Sequence, residues 1–230
     1  MSLDKDIKRN IRQTLGLPER KGRPVQEAYV VEPKGYDLKT DFLSDKVKRA
    51  RLEVFDAQTQ ALNRVSAELD TASREGANPI SSEFRSLKVD ESRCLSESFL
   101  KARFFDNIDA PSTQLAMDSL TFMRLERDFG TFDDWQRDFI ACALAARGGY
   151  VVTAYNLLLK RYMNHAVDGG GENLPVGSYP VIVLDVSEGA YYRDYISDRR
   201  TYVVAMMKEL DWDVIEERFK LADRIAKVLS

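Results

Sequence analysis

Histidine limits the chemistry first. The 230-residue chain has one, His165, together with two cysteines, Cys94 and Cys142. Imidazole is the usual ligand for redox iron, manganese, copper and zinc, and the usual general base near neutral pH. One His and two scattered Cys without a CxxC spacing exclude most protein metal sites. They also leave no Ser–His or Cys–His arrangement for a nucleophile. The cysteines read as reduced core thiols. The acidic pairs, such as Glu216-Glu217, read as solvated helix faces. Asp168-Gly169-Gly170-Gly171 is a turn, because no P-loop lysine or following helix makes it a phosphate cradle. His165 falls in a strand or its turn and reads as an ordinary surface or turn histidine.

The elements that must position any site follow from composition and periodicity. With 44% hydrophobic residues, the chain can bury one sizeable core or two small lobes sharing one. No apolar run approaches the roughly 20 residues of a membrane span. The start, Met-Ser-Leu-Asp-Lys-Asp, lacks the h-region of a secretory signal and is too acidic for a typical mitochondrial transit peptide. The formal net charge of -3 is low for a free-standing nucleic-acid binder, which is usually basic. The first segment differs: Lys5, Lys8, Arg9, Arg12, Arg20, Lys21 and Arg23 face only Asp4, Asp6 and Glu19. Residues 1–35, broken by Pro18, Pro24 and Pro33, read as an extension. It is either a solvated tail or an arm lying on a partner or a phosphate backbone.

Ser44-Asp45 caps a long amphipathic helix with Val47, Ala50, Val54, Ala57, Ala61, Val65 and Leu69 at three- and four-residue spacings. Residues 77–92 read as a loop. A second helix carries Leu95, Phe99, Leu100, Ala102 and Phe104, and a third opens at Pro111-Ser112. Thr131 caps a fourth, from Phe132 to Ala146. After Gly148-Gly149 come strands at 150–155, 157–167 and 181–186, then helical segments around 191–195, 202–210 and 212–228. The fold class is α+β: a long N-terminal helical hairpin, then a three-stranded antiparallel sheet flanked by helices. The expected division is an arm at 1–35, a hairpin domain at 36–110 and an α/β domain at 111–230.

Asp185-Val-Ser-Glu-Gly-Ala-Tyr-Tyr-Arg-Asp-Tyr195 resembles the D-V-W-E-H-A-Y-Y signature of iron/manganese superoxide dismutases. Arg199 with Tyr202, and Leu210-Asp-Trp212-Asp-Val-Ile-Glu-Glu-Arg-Phe219, resemble the family's R-P-x-Y and N-W-x-x-V-x-x-R-[FY]. Arg127-Asp-Phe-Gly-Thr-Phe132 is similar to R-D-F-G-S-F, and Arg147-Gly-Gly-Tyr-Val-Val152 to the G-S-G-W-x-W-L strand entry. These blocks keep their order over about residues 120–220. The first half matches mainly in helix layout.

The resemblance implies one iron or manganese held by three His and one Asp. The corresponding positions here are Phe55, Ala102, Asp185 and Gly189, with Ser187 for the family's Trp, Ala146 for its outer-sphere Gln and Asn63 for its gateway Tyr. It therefore implies a lost metal site, no cofactor and a chain that is not an enzyme, with Phe55 and Ala102 packing the old cavity. It also implies dimer contacts at Glu188 and Tyr192. A Glu-to-His bridge cannot form between identical chains, because the His is Gly189; a heterodimer with a related chain that keeps its His could form half of it. The expected role is a structural subunit, by analogy in the small subunit of the mitochondrial ribosome and hence the matrix. In that setting the basic arm contacts rRNA or protein. The alternative is a peripheral subunit of a respiratory complex or ATP synthase.

Overall fold

The computed structural model describes residues 28–110 and 113–229. The basic positions Lys5 to Arg23 lie outside the described residues. Helix α1 spans Asp45–Thr71, and the Ser44 hydroxyl accepts from Val47 N at 3.4 Å as its cap. Helix α2 spans Glu83–Ile108 and packs along α1 as a hairpin. Ser82 caps α2 by accepting from Arg85 N at 3.0 Å. The first turns of α2 thus occupy part of the expected loop at 77–92. Their sequence looked like a loop because Leu87 is the one apolar residue that they bury.

The buried stripe of α1 is Val47, Arg51, Phe55, Thr59, Leu62, Ser66 and Leu69. Val47 and Leu69 are shared with the apolar reading, but between them the buried stripe is shifted by one or two positions: Ala50 and Val54 face outward, with Val54 40% exposed. Arg51, Thr59 and Ser66 interrupt the apolar pattern on the true inner face, so hydrophobicity alone selects the wrong one.

Helix α3 spans Leu120–Phe129, with Ser119 accepting from Phe122 N at 3.1 Å. It starts well after Pro111, where the sequence placed it. Helix α4 spans Phe132–Ala145 and takes its cap from Thr131, as expected. Strands β1 (Tyr150–Asn156), β2 (Arg161–Val167) and β3 (Ser178–Asp185) form an antiparallel sheet in the order β2-β1-β3. The second strand starts later than expected because Asn156 Oδ1 accepts from Leu158 N and Leu159 N, turning the chain before Lys160 at φ 54°. Helices α5 (Glu188–Tyr195), α6 (Arg199–Met207) and α7 (Trp212–Leu229) complete the fold. The α+β arrangement read from the sequence is the one observed.

One hydrophobic cluster runs from Leu38 through β1 and β3 to Ala222, so the hairpin and the sheet segment share a core. Polar clamps fix its layers. Arg218 of α7 is buried and donates to Val181 O, Arg103 O, Asn107 Oδ1 and Asp106 Oδ2. Arg199 donates to Ala146 O at 2.8 Å, which satisfies the C-terminal end of α4. Asp128 accepts from Arg127 and from Tyr162 N at 2.7 Å, which ties α3 to β2.

Candidate functional site

Asp185 ends β3 with its carboxylate 1% exposed, facing α1 and the start of α5. Its Oδ2 accepts from Arg51 Nη2. Its Oδ1 accepts from Ser187 N at 2.9 Å and Ser187 Oγ at 2.6 Å. Its carbonyl accepts from Tyr202 OH at 2.7 Å. Ser187 stands at the N-cap of α5, yet its hydroxyl turns back to the aspartate and makes no cap bond to the helix. Burial disfavours the Arg51 cation, but Asp185 together with Tyr150 and Tyr202 outweighs this, so the guanidinium is held above its ordinary pKa.

Lys101 of α2 is buried beside this pair and makes no hydrogen bond among the described residues. Burial lowers its pKa; Asp185 opposes that shift and Arg51 adds to it. Glu97, one turn back on α2, accepts from Tyr150 OH at 2.8 Å. Burial first, then Asp185 and Glu97, push that phenol well above its usual range.

The sequence-predicted positions distribute around this centre. Phe55 packs edge-on against Phe105, ring centroids 5.5 Å apart, and also against Tyr36. The carbonyl of Ala102 accepts from Tyr36 OH at 3.3 Å. Asn63 pins the segment before α1: its Oδ1 accepts from Val31 N at 2.8 Å and its Nδ2 donates to Val31 O at 3.0 Å. Ala146 is the carbonyl that Arg199 caps. Gly189 lies in the first turn of α5, where a Cβ would stand 2.8 Å from Arg51 Nη1. The expected apolar filling is therefore only half of the arrangement. Phe55 and Ala102 are apolar, but two buried cations, Arg51 and Lys101, sit with them. The apolar spacing of α1 selects Ala50 and Val54 and so gives no sign of Arg51 on the inner face. Phe55, one helical turn further on at i+4, is the signal that could have placed it inward.

His165 lies mid-strand in β2, opposite Val152, and is half buried. Its Nε2 has no partner among the described residues.

Glu188, Gly189, Tyr192 and Arg193 of α5 meet Lys46, Val47 and Ala50 of α1 in one open groove. Tyr192 is 58% exposed. Glu188 and Tyr192, proposed from the sequence as contact residues, are thus brought to one face.

Residues 119–218 match the family model "Iron/manganese superoxide dismutases, C-terminal domain". A manganese superoxide dismutase of Halobacterium salinarum is 39% identical over 114 residues, covering 50% of this chain and 54% of that protein. One from Haloarcula hispanica is 34% identical over 107 residues, 46% of this chain and 73% of that protein. An iron superoxide dismutase of Aquifex aeolicus is 29% identical over 181 residues, 79% of this chain and 84% of that protein. The chain spans about half the length of the halobacterial relatives it matches. A hairpin-plus-sheet fold with these matches defines a class: the chain belongs to the iron/manganese superoxide dismutase family.

These relatives correct two expectations. Each is named as a superoxide dismutase, so the family is an enzyme family. The reading of this chain as a retired enzyme and as a ribosomal protein is overturned by that finding. The relatives come from archaea and bacteria and lend nothing to a mitochondrial matrix location.

The relatives' names carry iron or manganese, and the residues of this chain do not fit either ion at the corresponding position. Phe55 and Ala102 offer no side-chain donor atom, Gly189 has no side chain, and Asp185 is committed to Arg51 and Ser187. Arg51 and Lys101 supply positive charge beside Asp185. Among the described residues, no group of three or more His, Cys, Asp or Glu is placed to hold a metal ion.

Proposed function

We propose that this member of the family works by binding a protein partner through the α1–α5 groove, as a subunit of a larger assembly. One observation carries the reading. Lys46, Glu188, Tyr192 and Arg193 line a single groove, and none of their side chains makes a hydrogen bond or ion pair among the described residues. An exposed tyrosine with an arginine beside it and a polar rim matches the Tyr and Arg enrichment of docking surfaces. Arg51, with Asp185 and the α5 N-cap Ser187, supports the same reading, because these bonds hold α1 and α5 in fixed relation. The test is native purification of the full chain beside a Tyr192→Glu variant. The wild type should retain a stoichiometric protein partner that the variant loses with its circular dichroism unchanged. A variant that keeps the partner, or a wild type that has none, would contradict the reading.

A second reading is superoxide dismutation, which the names of the relatives favour. It requires a redox ion. Stoichiometric iron or manganese in the purified chain, with consumption of superoxide, would establish it over the first.

A further inference from the structure

The end of the sheet away from the α1–α5 groove carries an apolar tip. The turn that joins β1 to β2 reads Leu157-Leu158-Leu159-Lys160 and runs into Arg161. Leu157 packs against the core, but Leu158 is 87% exposed and Leu159 56%. The turn is held so that neither can fold inward. Buried Asn156 accepts from Leu158 N and Leu159 N through its side chain, and from Lys160 N at 2.8 Å through its carbonyl. The turn that leads into β3 is tied alongside. Leu157 N donates to Gly177 O at 3.0 Å, and Asn156 pairs with Ser178. Val176, next to that tie, is fully exposed. Asp185, close to the groove, pairs instead with Tyr150 at the opposite end of β1.

We infer that this tip is a membrane contact: Leu158, Leu159 and Val176 enter the interface of an anionic lipid bilayer, and Lys160 and Arg161 meet its headgroups. A single exposed aliphatic side chain is ordinary, but three on two tied turns form a patch. Its shape points to lipid. The side chains stand on turn tips rather than lining a cleft, and a soft hydrocarbon boundary takes up a small protrusion flanked by cations. Its charge points to anionic lipid. The chain has 37 Asp and Glu residues, yet the stretches 156–167 and 173–184 contain none. Asp128, which α3 brings to the start of β2, is taken up by Arg127 and Tyr162 N. Lys160 and Arg161 are both exposed, and Arg161 is steadied by donating to Asp128 O. Cations so placed are drawn to a negative membrane surface within about a Debye length. The contact lies in the interface, and it leaves the groove at the other end of the sheet open.

Co-sedimentation of the full chain with vesicles tests the inference, using equal parts phosphatidylcholine and phosphatidylglycerol beside phosphatidylcholine alone. The wild type should pellet with the mixed vesicles, more weakly with the neutral ones, and less as salt rises. Leu158→Ser with Leu159→Ser should weaken binding by about tenfold or more. Lys160→Glu should weaken it by about fivefold or more. Ile80→Ser removes a comparably exposed side chain from the turn between α1 and α2 and should change nothing. All these side chains are exposed, so the variants should keep the wild-type circular dichroism and unfolding midpoint. A wild type that stays in solution with the mixed vesicles overturns the inference, as does binding indifferent to the leucine changes. If the leucine variant loses a co-purifying protein while neither form pellets with vesicles, the tip serves a protein and the membrane contact fails.

Discussion

Arg51, Asp185, Ser187 and Gly189 form an interlocking set in which each side chain fixes the room left for the next. The guanidinium occupies the volume that a Cβ at position 189 would need. An arginine tip usually yields to such crowding, but this one is tied to a buried carboxylate. Gly189→Ala should therefore destabilise the protein by about 1 kcal/mol, although alanine is the better helix former by roughly that amount. In an Arg51→Met background the same substitution should become stabilising. Urea midpoints of the four proteins check this, and a stabilising effect in both backgrounds would disprove the coupling. His165 permits a second prediction, since it is the chain's one histidine. Burial holds its pKa below the ordinary value and Asp138 opposes that only in part. Between the unfolded value near 6.5 and the lower folded one, the unfolded chain binds more protons. Stability should thus fall as pH drops through that window and level off below it. His165→Gln should lose less stability than wild type between pH 7 and pH 5, and equal losses would refute the assignment.

At the scale of elements, buried arginines join layers that apolar packing alone would let slide. Arg218 reaches from α7 to acceptors on α2 and β3, and burial is the main reason its pKa falls to about 10. Arg218→Met keeps the stem but removes the donor from Val181 O and Asn107 Oδ1 and leaves Asp106 to Lys34. It should cost about 3 kcal/mol or more in urea unfolding; a loss below 1 kcal/mol would show that the clamp is idle. The sequence blocks around Arg127, Arg199 and Arg218 were legible as a family pattern, and the structure gives each the task of binding backbone or carboxylate groups. The three antiparallel strands and the caps at Ser44 and Thr131 were legible too, because caps and β-rich runs are local signals. The phase of α1 was not. Three polar residues in its buried stripe gain their partners from groups far along the chain or from the helix's own backbone, which periodicity does not register.

For the molecule as a whole, the Arg51–Asp185 pair is a buried ion pair between the N-terminal hairpin and the sheet, bridging 134 positions of sequence. The two segments share one apolar core, so they should unfold together. The kept aspartate was legible at once, but its partner was hidden by the misphased helix. For that reason the sequence suggested an apolar plug where the fold has an internal ion pair. A double-mutant cycle on global unfolding, with Arg51→Met, Asp185→Asn and the pair together, is the most direct test. Each single change leaves one buried charge without its partner and should cost about 3–5 kcal/mol, while the double variant should cost no more than either single one. Losses that simply add would mean that the two charges do not hold each other.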